Sequence, residues 1–290
     1  MILAENISRT FKRSKALDSV SFKVDDGQLV ALMGANGAGK STLFDILATL
    51  DTNFSGRAEI DGADIRKAPV EVRKRIGYVP GRFSLYRDLT VMENLEFFAS
   101  AHGAEASDIS ELSPGLWNGL KAFSDKRAGT LSGGMKQKLS ICCAMVHNPS
   151  TLLLDEPTVG VDPVSRLEMW DELRTLKGRG ASILVSTHYL DEASLADRII
   201  FLHNGRLLLS DTPDGIMKSY PRRLYSIDCR GRDKTAIEAL LDSDSRVCGH
   251  YVCGETIHAA CNAPISINGV DIHEIQASVE DAFIEILSQR

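Results

Sequence analysis

Gly34-Ala35-Asn36-Gly37-Ala38-Gly39-Lys40-Ser41-Thr42 is the stretch that decides how the rest of the chain reads. It satisfies G-x-x-x-x-G-K-[ST] without a mismatch. The apolar run Leu29-Val-Ala-Leu-Met33 leads into it, and Lys40 to Leu50 has the pattern of a helix. Strand, glycine loop and helix in that order are the setting a phosphate-binding loop requires. Gly34, Gly37 and Gly39 let backbone N–H groups close around phosphates. Those groups would lie at a helix N-terminus, where the dipole favours an anion. In such a loop Lys40 neutralises charge between the β- and γ-phosphates, and the Ser41 hydroxyl reaches Mg²⁺.

Two later segments extend the pattern. Leu152-Leu-Leu154 is a buried-strand run ending in Asp155 and Glu156. Asp155 suits the Mg²⁺ shell, directly or through water, and Glu156 is placed to polarise an attacking water. Read alone, they are two carboxylates at an exposed strand end. Leu131-Ser132-Gly133-Gly134-Met135-Lys136-Gln137 precedes an apolar helix. The Ser132 hydroxyl and the N–H groups of Gly133 and Gly134 form a second phosphate site there. Read alone, this is an N-cap with flexible glycines. One chain rarely needs two such sites for one nucleotide; a dimer in which each chain completes the other's pocket uses both.

Composition sets the outer bounds. The 290 residues suffice for one large domain, or for a large and a small one. A chain 43% hydrophobic and 25% charged is ordinary for a globular protein. Lys and Arg number 33 against 39 Asp and Glu, a net charge of -6, which argues against nucleic acid as the main partner. Met1-Ile-Leu-Ala-Glu-Asn6 lacks the basic and apolar regions of a signal peptide. No apolar run approaches the ~18 residues of a membrane span, so a membrane role calls for another polypeptide. The six cysteines, Cys142, Cys143, Cys229, Cys248, Cys253 and Cys261, are expected as free thiols. Cys248, His250, Cys253, His258 and Cys261 invite a metal reading, but their spacing lacks the paired C-x-x-C of a typical zinc site, and small cysteines alternating in short strands explain them as well.

Along the chain, Ser21–Val24 and Leu29–Met33 flank Asp26-Gly27 and are expected to form a hairpin. Tyr78 to Val146 is mainly helical, with a capping box at Thr90-Val-Met-Glu93 and breaks at Pro114, Gly115 and Gly119. Strands return at Thr151–Leu154, Ser182–Val185 and Arg198–Leu202, the last entering a hairpin at Asn204-Gly205. With a helix from Val164 to Leu176 between strands, these runs imply a buried parallel sheet. Pro213, Pro221 and Arg222-Arg223 mark a boundary, after which strand, helix, hairpin and final helix form a small α+β appendage.

Taken together, the glycine loop, Leu131–Gln137 and Leu152–Glu156 resemble the ATPase subunits of ABC transporters, over about Met1 to Pro213. The resemblance implies an α/β P-loop NTPase of ABC type: a RecA-like parallel-sheet core, an antiparallel β subdomain and a helical subdomain at about 80–146. These would occupy residues 1–220, with a small C-terminal α+β domain at 221–290. It implies ATP and Mg²⁺, held by Gly34, Ala35, Asn36, Gly37, Ala38, Gly39, Lys40, Ser41 and Thr42 of one chain. Ser132, Gly133, Gly134 and Gln137 of a second chain would close the site. Phe11 matches the position of the aromatic ring that stacks on adenine. Val159-Gly160-Val161-Asp162 matches the loop crossing the dimer interface, and His188, in Ser186-Thr187-His188, matches the switch histidine at the γ-phosphate. One position departs from the family. The segment matching Ile76-Gly-Tyr-Val-Pro80 is normally followed by a glutamine that joins the Mg²⁺ shell; here Gly81 and Arg82 follow. Either Mg²⁺ affinity and coupling are weakened, or Arg82 partly substitutes.

Ser84–Leu95, Gly129–Gln137, Thr187–Ala193 and the tail Val279–Ile284 resemble the ATPases of ABC-2-type exporters, including multidrug efflux systems. That implies a homodimer or paired ATPase at the cytoplasmic face of a membrane, a separate integral membrane permease, and no nucleic acid. The alternatives are an ABC ATPase that does not transport and a nucleotide-gated clamp with weak hydrolysis.

Overall fold

The computed structural model describes residues 1–12 and 14–288, and the chain divides into two units, Met1–Thr212 and the residues from Pro213 on. In the first, β1 (Ile2–Phe11) pairs antiparallel with β2 (Ser14–Val24). Next, β3 (Leu29–Met33) leads through the glycine loop into α1 (Lys40–Leu47). Then come β4 (Ser55–Ile60), β5 (Ala63–Asp64), α2 (Pro69–Arg75) and β6 (Ile76–Val79). A helical stretch holds α3 (Val91–His102), α4 (Ile109–Leu112), α5 (Pro114–Asn118) and α6 (Gly133–Met145). After it follow β7 (Thr151–Leu154), α7 (Pro163–Gly178), β8 (Ser182–Thr187) and α8 (Leu190–Ala193), then the hairpin β9 (Arg198–His203) and β10 (Arg206–Asp211).

Two sheets result. The order β2-β1-β4-β5 is antiparallel, whereas β10-β9-β3-β8-β7-β6 is parallel except for β10. Every residue of β3, β7 and β8 is buried, as strands covered on both faces must be. Met33 pairs with Thr187 and Leu154 with Val185, so the carboxyl ends of β3, β8 and β7 come level. The residues that follow them converge at one edge, the usual ligand position of an open α/β sheet.

The expected hairpin at Asp26-Gly27 is a turn without a hairpin. Gln28 N–H donates to Asp25 O at 3.2 Å, but β2 and β3 enter different sheets. The burial pattern explains it: β2 alternates between buried and exposed, while all of β3 needs cover on both faces.

The helical stretch begins at a true capping box: Thr90 Oγ1 accepts from Glu93 N–H at 3.1 Å, and Glu93 Oε2 accepts from Thr90 N–H at 2.7 Å. Pro114 does not simply break the chain; it opens α5. The buried Glu172 carboxylate of α7 ties this turn to the core by accepting from Ser113 Oγ at 2.6 Å. A Cβ on Gly115 would lie 2.1 Å from Glu172 Oε2. Gly115→Ala is therefore expected to lower stability by about 1–3 kcal/mol in urea titration, the range for overpacking. An unchanged midpoint would mean that Glu172 swings away freely.

In the second unit, α9 (Pro213–Lys218) precedes β11 (Arg223–Asp228), α10 (Lys234–Ser243), β12 (Val247–Cys253), β13 (Thr256–Cys261), β14 (Ile272–Ile275) and α11 (Val279–Ser288). The sheet is antiparallel in the order β12-β13-β11-β14, and Ile237 and Leu241 of α10 pack on Ile227 and Ile257. The division falls at Thr212/Pro213, ahead of the 220/221 position read from the sequence, because α9 packs on α11. All six cysteines are free thiols. Among the described residues, no three His, Cys, Asp or Glu side chains stand where one metal ion would take them.

Candidate functional site

The glycine loop owes its shape to positions that exclude a side chain. A Cβ on Gly34 would meet Leu202 O at 2.4 Å, and one on Gly39, at φ +106°, would meet Ala16 O at 2.5 Å. Gly37, at φ +81°, has nothing within 4 Å of that position, so the crest of the loop stands open. Ala35, Asn36 and Gly37 are exposed there, whereas Ala38 is buried. Ser41 is exposed and Thr42 half-buried in the first turn of α1, where N–H groups lack helical partners. A cradle of open N–H groups beside a hydroxyl fits a polyphosphate and its metal ion.

Lys40 is 5% exposed. Its Nζ donates to Gly34 O at 2.7 Å and lies 3.1 Å from Glu156 Oε1. Glu156 Oε2 in turn lies 3.5 Å from His188 Nδ1. The ends of β3, β7 and β8 thus bring a cation, a carboxylate and an imidazole into one row.

Asp155 is buried and accepts from Ser186 Oγ at 2.6 Å. The same Ser186 Oγ accepts from Glu156 N–H at 2.8 Å, so one hydroxyl holds both acidic residues. Glu156 has φ +50°, a left-handed conformation costing a non-glycine residue about 1–3 kcal/mol, which persists where the surroundings enforce it. Neither feature was read from the sequence. Ser186 was legible only as a hydroxyl at the end of a strand, before the strand order was known. A Cβ on Gly81 would lie 3.3 Å from Asp155 O and 3.4 Å from its Oδ2. The family's glutamine position therefore faces the Asp155 carboxylate; Arg82 is exposed.

Phe11, at the end of β1, is 45% exposed, with the Arg9 guanidinium 4.1 Å from its ring centroid. Arg9 is itself fixed by Asp51, Nε to Oδ2 at 2.6 Å.

Ser132, Gly133 and Gly134 belong to another cluster. Ser132 caps α6, its Oγ accepting from Met135 N–H at 3.3 Å, and a Cβ on Gly133 would meet Gly160 O at 2.8 Å. This start of α6, with Gln137 on its second turn, packs against the loop Val159–Asp162. Asp162 caps α7 by accepting from Ser165 N–H at 3.0 Å, a bond that holds its carboxyl below the usual range.

A glycine cradle at the end of a parallel strand, with its lysine against a strand-end carboxylate, defines a P-loop nucleotide-binding protein. The profile of the ABC transporter family matches residues 17–159. The probable multidrug ABC transporter ATP-binding protein YbhF of Escherichia coli (strain K12) is 38% identical over 220 residues, covering 74% of this chain and 38% of its own. The Nod factor export ATP-binding protein I of Rhizobium sp. (strain N33) is 31% identical over 296 residues, covering 97% of this chain and 94% of its own. A solved dimeric structure of a bacterial ABC transporter cassette matches with a TM-score of 0.68 at 28% identity, over 73% of this chain and 98% of that one. The chain spans 38% of the length of the first of these relatives. It belongs to the ABC transporter family, among the ATP-binding proteins.

Proposed function

We propose that this chain binds and hydrolyses ATP as the motor subunit of an ABC-2-type exporter. It would work as a homodimer or paired ATPase at the cytoplasmic face of a membrane and drive a separate integral permease. The observation that carries the reading is the row Lys40, Glu156 and His188 beside the open glycine cradle. Export is supported by the relatives, named for multidrug and Nod factor transport.

In this reading the N–H groups of Gly34 to Thr42 hold the phosphates, and Lys40 leaves Gly34 O to pair with the β- and γ-phosphate oxygens. Ser41 and Asp155 offer the hard oxygen donors that suit Mg²⁺, which when bound neutralises charge on the phosphates. Glu156 orients a water for in-line attack, and His188 donates to the γ-phosphate. Phe11 stacks on adenine with the face that Arg9 leaves free. Ser132, Gly133, Gly134 and Gln137 of the second copy close the site, and Asp162 crosses between copies. Closure on ATP and reopening after hydrolysis would move the permease.

ATP turnover that follows the purified chain, and copurification of the chain with a membrane-spanning subunit, test this reading. Recovery as a soluble protein with RNA bound would contradict it. Gly81 favours a second reading, a nucleotide-gated clamp with weak hydrolysis, because no side chain stands beside Asp155 at that position. Gly81→Gln supplies an amide oxygen there and is expected to raise turnover several-fold; an unchanged rate would count against a Mg²⁺ deficit at this position.

A further inference from the structure

Glu192 lies in α8 and is 3% exposed. A carboxylate buried so completely requires partners, or it neutralises. Its partners come from three separate segments. Oε2 accepts from Thr158 Oγ1 at 2.9 Å and from Thr187 Oγ1 at 2.6 Å. Oε1 lies 2.8 Å from Arg166 Nε on α7.

Thr158 and Thr187 lie within two residues of a reacting side chain, and Arg166 reaches one through the Tyr189 ring. Thr158 follows Glu156 by two residues, in a turn closed by Val159 N–H to Glu156 O at 3.3 Å. Thr187 immediately precedes His188, and its Oγ1 accepts from Tyr189 N–H at 3.0 Å. Arg166 lies over the Tyr189 ring at 4.0 Å, and that ring lies 4.1 Å from the His188 imidazole, centroid to centroid. The Arg166 guanidinium also donates from Nη2 to Asp191 Oδ2 at 3.1 Å, on α8 itself.

We propose that Glu192 is a positioning residue that holds Glu156 and His188 in register by tying Thr158, Thr187 and Arg166 to one buried carboxylate. The inference rests on the ATPase reading above and adds a residue to it. Helix α8 spans only Leu190–Ala193, too short to fix its own place, and Glu192 anchors it. The strained Glu156 backbone needs its surroundings to enforce it, and Thr158 supplies one such restraint. Charge is needed as well as shape. The glutamine amide has one acceptor oxygen, and turning that oxygen to the two hydroxyls faces its NH₂ to the Arg166 donor.

The test compares Glu192→Gln, Thr187→Val and Thr187→Ser with the unaltered full chain. It reads kcat and KM for ATP together with amide hydrogen exchange of residues 156–160 and 186–190. Glu192→Gln is expected to lower kcat at least about tenfold with KM within about twofold, as small misplacements of a reacting group do. Exchange should rise about tenfold in the two segments and stay unchanged in β3 and β4. Thr187→Val should follow in the second segment, and Thr187→Ser should restore it. An equal rise in exchange across the first unit, or an unchanged kcat with the protein folded, would overturn the proposal. Absent turnover in the unaltered chain would bear on the ATPase reading, and the exchange pattern would still decide whether Glu192 ties these segments.

Discussion

Glu156→Gln is expected to lower ATP turnover about 100- to 10,000-fold while leaving ATP bound, the range attributed to a positioned general base. The replacement keeps the side-chain length, so its oxygen still reaches Lys40 Nζ, 3.1 Å away in the native chain. It removes the ability to take a proton from water. It also removes a negative charge next to where the γ-phosphate would lie, so affinity for ATP should hold or rise. Steady-state turnover and equilibrium binding of a fluorescent ATP analogue separate the two effects. Equal loss of binding and turnover would make Glu156 a structural partner of Lys40.

Lys40→Ala is expected to weaken ATP binding about 10- to 100-fold, since a hydrogen bond to a charged group contributes ~1.5–3 kcal/mol and 1.4 kcal/mol is a factor of ten. Turnover should fall further, because negative charge grows on the leaving β-phosphate oxygens as the loose, metaphosphate-like transition state forms, and Lys40 would lie between the β- and γ-phosphates. The replacement also leaves Glu156 facing His188 alone, its Oε2 3.5 Å from Nδ1. Calorimetric titration with ATP reads the affinity, and urea titration checks that the fold survives. ATP bound at undiminished affinity would remove Lys40 from the phosphate site.

What the sequence made legible was local. The loop Gly34–Thr42, the capping box at Thr90 and Glu93 and the Asn204-Gly205 hairpin each depend on residues a few positions apart. What stayed hidden depends on strand order. The Ser186–Asp155 bond spans 31 residues and the Thr158–Glu192 bond 34, and neither pair is adjacent until β8 lies beside β7. Asp26-Gly27 has the turn chemistry of a hairpin, yet the choice of sheet for β2 and β3 is a tertiary one. The left-handed backbone at Glu156 has no sequence signal, because glutamate carries none for that conformation. The four-residue β14 was missed because two half-buried isoleucines flanking the exposed His273 and Glu274, in a strand at the edge of its sheet, give no apolar run.

The account stands on ATP being shared between two copies, one offering Gly34–Thr42 and the other Ser132–Gly134. Mg²⁺-dependent ATP turnover by the purified chain, measured across a range of chain concentrations beside Glu156→Gln, tests this most directly. A rate per chain that rises with concentration, and collapses in Glu156→Gln, is the predicted result. A rate per chain independent of concentration down to high dilution, or ATP bound by both proteins with turnover in neither, would contradict it.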